Sequence, residues 1–415
     1  MKYTIALLAL SLLLITIAYY ELGYYWDLIA HILYAKGIVK GDYNLIEWER
    51  APLSGLVLIP FYIFFGNNSG YFYIIANIII TYALAIEISR KLNYNELIFT
   101  SILLTPFPLL FYTIFNGAEI LSINFLLFGI FLFLKNKNYF SLFLALAALT
   151  KVIAFPFVVL ILFSNNKKLS FLYYIFPFIP WLIFNYIAFG NPLFNYIETI
   201  KIALNSSFPN FNNLYSLIYM LAPFLIFYFV LFLIYLKENY GKSQNKLYSL
   251  NDPIFIIFFI NLFILLLSGL FSNAVYTIPR WSYIIYVPFV FIFANRVRNW
   301  DKAIFYINIM LFIFLVFNMN LIVNVYSTNE RNPNLITAIN YIKAHNYSIV
   351  ASNVWVLLDF YNISSISPYN NYTYKPILII NGIGTSPKLF NLENYKEIII
   401  NKNTSLYLPV IPNQK

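Results

Sequence analysis

Six stretches of this chain carry no Asp, Glu, Lys or Arg at all: residues 3–20, 51–86, 97–118, 202–236, 254–279 and 303–329. A helix that crosses a bilayer needs about 20 apolar residues, and most of these runs hold at least one such helix. Over the 415 residues only 10% are charged and 61% are hydrophobic, whereas a soluble protein of this size carries about a quarter charged residues. No water-soluble core hides that much apolar surface, so a soluble globular enzyme is excluded, and so is intrinsic disorder. The runs are continuous rather than alternating, which excludes an outer-membrane barrel. The expectation is a multi-pass, all-α membrane protein.

The formal charge of +10 points to cationic cytosolic loops before it points to nucleic acid. There are no cysteines, which removes disulfides, thiol chemistry and cysteine-bound metal. The first apolar run follows Lys2 and shows no small-residue cleavage site, so it reads as a retained span.

Residues 1–325 read as the membrane body and 326–415 as a separate external α/β domain. In the latter the charges return and short β-type runs stand at 348–352, 376–380, 397–400 and 405–411. Asn332-Pro333 is a helix start, with Asn as cap and Pro in the first turn, opening a helix to about His345.

Two segments decide the topology. Residues 51–66 are short and contain two prolines, so they fit either a span or an interfacial helix; residues 139–164 fit one span or two that turn at Lys151. If 51–66 does not cross and 139–164 turns back, 13 Lys and Arg face the cytosol against 6 outside before the tail. The alternative moves Arg90, Lys91, Lys135 and Lys137 outside and gives 9 against 10. The positive-inside rule selects the first. It predicts about eleven transmembrane helices, interfacial helices in the first external loop, a cytosolic N-terminus and an external tail at the cell membrane. The sequons at Asn67, Asn205, Asn346, Asn362, Asn371 and Asn403 all fall outside.

A few charges then need a reason, and all lie at external helix ends. The loop 21–50 holds Glu21, Asp27, Asp42, Glu47 and Glu49. If 26–36 is helical, Asp27, His31 and Tyr34 share a face; a polar stripe on an interfacial helix accounts for the same spacing, and two ligands do not make a metal site. Glu119 opens an apolar helix, where the helix dipole alone favours a carboxylate. Lys151 sits between two apolar runs with no acid nearby in sequence; snorkelling is the alternative. Arg280 stands outside against the topological trend, and an arginine there suits a phosphate. No phosphate-binding glycine loop and no Ser-His-Asp set is evident. Internal repeats, the mark of many transporters, are not evident either.

These residues resemble the GT-C superfamily of integral-membrane glycosyltransferases, and most closely the protein O-mannosyltransferases and the aminoarabinose-type lipid-phosphate-sugar transferases. The likeness runs through YWDLIAHILYAKGIVKGDY, RAPLSGLVLIPFYIFFG, NGAEILSINFLLFGIFLFLK, LALAALTK and PRWSYIIYVP in order, and the tail from NLITAINYIKAHN resembles the external domain of several members. Asp27 is followed by Leu28 where many relatives have Asp-Glu, and the second acid is Glu119 where many have Asp. The resemblance implies a donor sugar on a polyprenyl or dolichyl phosphate. The acceptor hydroxyl belongs to a protein, lipid or glycan. It implies inversion, with Asp27 as base and Glu119 positioning hydroxyls. Lys151 and Arg280 would hold the phosphate, and His31 would orient Asp27. Tyr34 and Arg50 complete the candidate substrate-binding set. Neither a metal nor another cofactor is expected, nor a nucleic-acid partner. The rival reading is a lipid-linked-sugar flippase or carrier, which needs the cations but not Asp27.

Overall fold

The computed structural model describes residues 2–48, 50–198, 252–271, 282–294, 300–319, 329–367, 375–381 and 390–409, together with Leu233. It is mostly helical, 72% helix, with a small C-terminal sheet. The helices run α1 (Lys2–Leu22), α2 (Trp26–Lys40), α3 (Leu53–Phe65), α4 (Ser69–Leu92), α5 (Glu96–Leu103), α6 (Pro106–Leu110), α7 (Ala118–Leu134), α8 (Phe140–Thr150), α9 (Lys167–Ile175) and α10 (Phe178–Phe189). Beyond them come α11 (Pro253–Phe271), α12 (Tyr283–Ala294), α13 (Asp301–Phe317), α14 (Pro333–Ala344) and α15 (Trp355–Phe360).

Among the described residues two helical runs are long and apolar enough to cross a membrane, Lys2–Leu22 and Leu53–Leu92. The number is four if two bent pairs each count as one span: Glu96–Leu103 with Pro108–Phe115, and Lys167–Ile175 with Phe178–Phe189. Shorter apolar helices of 10–17 residues include α7, α8, α12 and the 3-10 helix Val152–Phe163. Large apolar side chains such as Phe64, Phe176, Ile187 and Phe317 project outward.

Of the two ambiguous segments, 51–66 forms the short helix α3. It ends at Gly66 (φ 56°), and a 3-10 turn over Gly66–Asn68 leads into α4. Segment 139–164 does not form one continuous α-helix. It breaks at Lys151, whose backbone is extended (φ −152°, ψ 117°), and the 3-10 helix Val152–Phe163 packs back on α8.

Helix pairs are locked by small residues and by polar contacts, the means available when apolar burial alone does not discriminate one face from another. Between α4 and α7, Asn124 donates to the Asn77 side chain at 3.0 Å and accepts from Thr81 at 2.7 Å. Between α7 and α8, Ser122 donates to the Ala147 carbonyl at 3.2 Å. A Cβ on Gly129 would lie 2.8 Å from Leu144 Cδ2. These contacts make α7 and α8 an antiparallel hairpin, with 122 beside 147 and 129 beside 144. The first turn of α7 therefore lies level with the end of α8.

The C-terminal sheet has strands β1 (Ile349–Ser352), β2 (Ser364–Ile366), β3 (Ile377–Ile380), β4 (Tyr395–Asn401) and β5 (Thr404–Pro409) in the order β2-β1-β3-β5-β4. β1 runs parallel to β2 and β3, whereas β5 is antiparallel to β3 and β4. Helix α14 opens with the expected cap, the Asn332 side chain accepting from Asn334 N at 2.9 Å. The expected small α/β unit is present, and β2 is an addition that its three residues did not announce.

Candidate active site

Five charged side chains from four separate parts of the chain converge at the start of α2. Asp27, in the first turn of α2, takes Arg50 Nη1 on Oδ1 at 2.7 Å and has Lys151 Nζ 3.9 Å from Oδ2. Lys151 also reaches Glu119 Oε1 at 3.1 Å, and Arg50 Nε pairs with Glu47. Arg50 thus pairs with Asp27 and Glu47, and Lys151 with Asp27 and Glu119. Glu119 is fully buried, while Asp27 and Lys151 keep 14% and 18% of their side-chain surface. The cluster therefore opens to solvent on the Asp27–Lys151 side.

Local structure accounts for each position. The α7–α8 register brings Glu119 level with Lys151, and the break at Lys151 turns its side chain out of the helix end. Gly117 (φ 71°) starts α7, and a Cβ there would sit 2.5 Å from Leu28 Cδ1. Only a residue without a side chain lets α7 approach α2 this closely in this backbone conformation. A five-residue π-helical segment, Phe111–Phe115, precedes it. Tyr73 of α4 fastens the junction by donating to the Gly117 carbonyl at 3.2 Å.

Beside the cluster lies a cavity of about 760 Å³, walled by apolar side chains that include Tyr34, Trp48, Leu53, Leu146, Leu149 and Trp181. Leu149 is two residues before Lys151, and Trp48 and Pro52 flank Arg50. Cavity wall and charge cluster therefore share the same chain segments. The Trp48 ring packs on Phe184 at 5.3 Å between centroids and on Tyr34 at 5.9 Å. Its carbonyl accepts from Asn195.

Set against the sequence expectations, Asp27, Glu119, Lys151 and Arg50 come together. Tyr34 shares the α2 helix as expected but lines the cavity. His31 lies 3% exposed, and neither ring nitrogen has a hydrogen-bond partner among the described residues. His31 therefore makes no hydrogen bond to Asp27 by which it would orient it. Burial first, then the charges of Arg50 and Lys151, lowers the His31 pKa to about 3, so the imidazole is neutral. Arg280 and Glu49 lie outside the described residues. Glu47 and Trp48 were not singled out by sequence reasoning. The density of acids in the loop 21–50 was the available signal for Glu47, and nothing in the sequence marked Trp48.

Among the described residues, no three His, Asp or Glu side chains are grouped to hold a metal ion. No protein-family model, curated protein or solved structure matches the chain.

Proposed function

We propose that this protein is an integral-membrane glycosyltransferase of the GT-C type, moving a sugar from a polyprenyl-phosphate carrier to an acceptor hydroxyl on the external face. The observation that carries the reading is the juxtaposition of Asp27 and Lys151, with Arg50, in a cluster whose chain neighbours Leu149, Trp48 and Pro52 wall an apolar cavity. A polyprenyl-phosphate sugar is a long apolar chain ending in an anion, and an apolar cavity beside partly exposed cations matches it in both respects.

In this reading the acceptor oxygen attacks the anomeric carbon opposite the phosphate. The carbon–oxygen bond to phosphate breaks, the electron pair leaves with the phosphate, and the configuration inverts. The acceptor proton passes to Asp27. Phosphate is a good leaving group and needs cations rather than a strong acid; Lys151 supplies one at the point where charge develops. Arg280 is a second candidate by its sequence position alone. Arg50 holds one oxygen of Asp27, leaving the other turned toward Lys151. Glu119 fixes the Lys151 ammonium. The whole-chain picture that goes with this has about eleven crossings and an external C-terminal unit.

The test is label transfer in detergent. Purified wild type and Asp27→Asn are offered a panel of radiolabelled polyprenyl-phosphate sugars with a membrane acceptor extract. Transfer by wild type, reduced by at least about 100-fold in a folded Asp27→Asn, is the expected result. Donor binding without transfer, equal in both proteins, would replace this reading with the carrier.

A further inference from the structure

Helix α2 bears Asp27 yet is enclosed along most of its length, every residue from Leu28 to Gly37 being buried. Lys36 stands nine residues beyond Asp27, two and a half turns along the helix, and so on the opposite face. Its ammonium is buried, and it donates to Asn362 Oδ1 at 2.9 Å and to the Asp359 carbonyl at 3.1 Å. Both acceptors lie at the end of α15, in the C-terminal unit.

The other end of α2 is held by the same unit. Trp26 meets Trp355 edge-on at 4.7 Å, and Tyr24 meets Phe360 at 6.1 Å. Tyr25 and Asn329 form an antiparallel bridge. Glu330 N donates to the Tyr24 carbonyl at 3.0 Å, and the Tyr361 hydroxyl donates to the Glu330 carbonyl at 2.8 Å. Gly23 (φ 66°) leaves room for the Glu330 side chain, because a Cβ there would lie 2.4 Å from its Oε1.

A buried ammonium held by neutral oxygens costs desolvation that an apolar contact would avoid. What it adds is direction, because its donors accept only a particular placement of α15. We propose that the C-terminal unit is a clamp on α2 and that Lys36 is the positioning residue through which it sets Asp27 against Lys151 and Arg50. The clamp stands on the contacts above; the catalytic consequence rests on the glycosyltransferase reading.

The absence of native cysteine makes the test direct. In the full chain, spin labels are placed at Asn67→Cys with Lys343→Cys to report docking of the C-terminal unit, and at Asn67→Cys with Val39→Cys to report the placement of α2. Lys36→Met should broaden both distance distributions, while Lys36→Arg, which keeps charge and donors, restores them. Transfer by Lys36→Met should show kcat reduced by about 100-fold, the cost of an ångström-scale misplacement, with KM for donor and acceptor unchanged. An unchanged Asn67–Lys343 distribution would overturn the role of Lys36. A displaced C-terminal unit with α2 unmoved would overturn the clamp. Unchanged kcat with a raised acceptor KM would make the unit an acceptor-binding lobe instead. If wild type transfers no sugar the glycosyltransferase reading fails, and the two distance measurements still decide the clamp.

Discussion

Replacing Lys151 with Met takes the cation away from a fully buried carboxylate. The Nζ–Oε1 distance to Glu119 is 3.1 Å, and at an effective dielectric of about 20 the direct attraction is about 5 kcal/mol. The first-turn amides of α7 offset part of the loss, by about 0.3–1 kcal/mol. A buried pair broken on one side is destabilised by about 3–5 kcal/mol, and that is the expected cost of Lys151→Met. Adding Glu119→Gln removes the buried carboxylate's charge as well, so the double variant should recover at least about 2 kcal/mol of it, a coupling in the usual range for contacting residues. Equilibrium unfolding in mixed micelles, followed by tryptophan fluorescence, measures all four proteins of the cycle. A Lys151→Met protein within about 1 kcal/mol of wild type, or a double variant no better than the single one, would refute the pairing argument. Transfer separates the two services of Lys151: the double variant should regain the fold but not the activity, because the ammonium assigned to the phosphate is gone.

Gly117→Ala should destabilise the protein by about 2–4 kcal/mol, from the positive φ and the overlap with Leu28, and Leu28→Ala in the same chain should return part of it in the same unfolding assay. His31→Leu should raise stability by about 1–3 kcal/mol, since it removes two buried nitrogens unsatisfied among the described residues; a loss of stability would show that the imidazole is hydrogen-bonded. Burial raises Asp359 from 3.8 to about 7, against the Ser365 hydrogen bonds that favour its ionised form. Folding therefore retains a proton that the unfolded chain releases, and the linked stability, at most about 4 kcal/mol, is present below about pH 4 and lost as pH rises to about 7. Hydrogen exchange of the C-terminal unit should quicken over that window, and Asp359→Asn should flatten the dependence.

Local signals reached a good part of this molecule. The Asn332 cap, the following proline and four β-type runs placed α14 and four of the five strands, because caps and short apolar runs act within a few residues. Lys151 stood out for the same reason, as a charge with no acid nearby in an otherwise apolar run, and it proved to mark a break between two helices. Lys36, another lysine in a largely apolar stretch, had no partner that sequence alone could offer, since its acceptor lies 323 positions away. The spacing puts Asp27 and His31 on one helix face, and yet no hydrogen bond joins them among the described residues, since spacing fixes direction and not separation.

Composition and local pattern were enough to show that the chain is apolar and helix-rich with short strands near its C-terminal end, because hydrophobicity, periodicity and capping are properties of neighbouring residues. Which charges meet was a different matter. Asp27, Arg50, Glu119 and Lys151 converge through a hairpin register, a break in a helix and the bare backbone of Gly117, each of which depends on how close two helices come. That closeness is set by the packing of many side chains together and is written in no single segment.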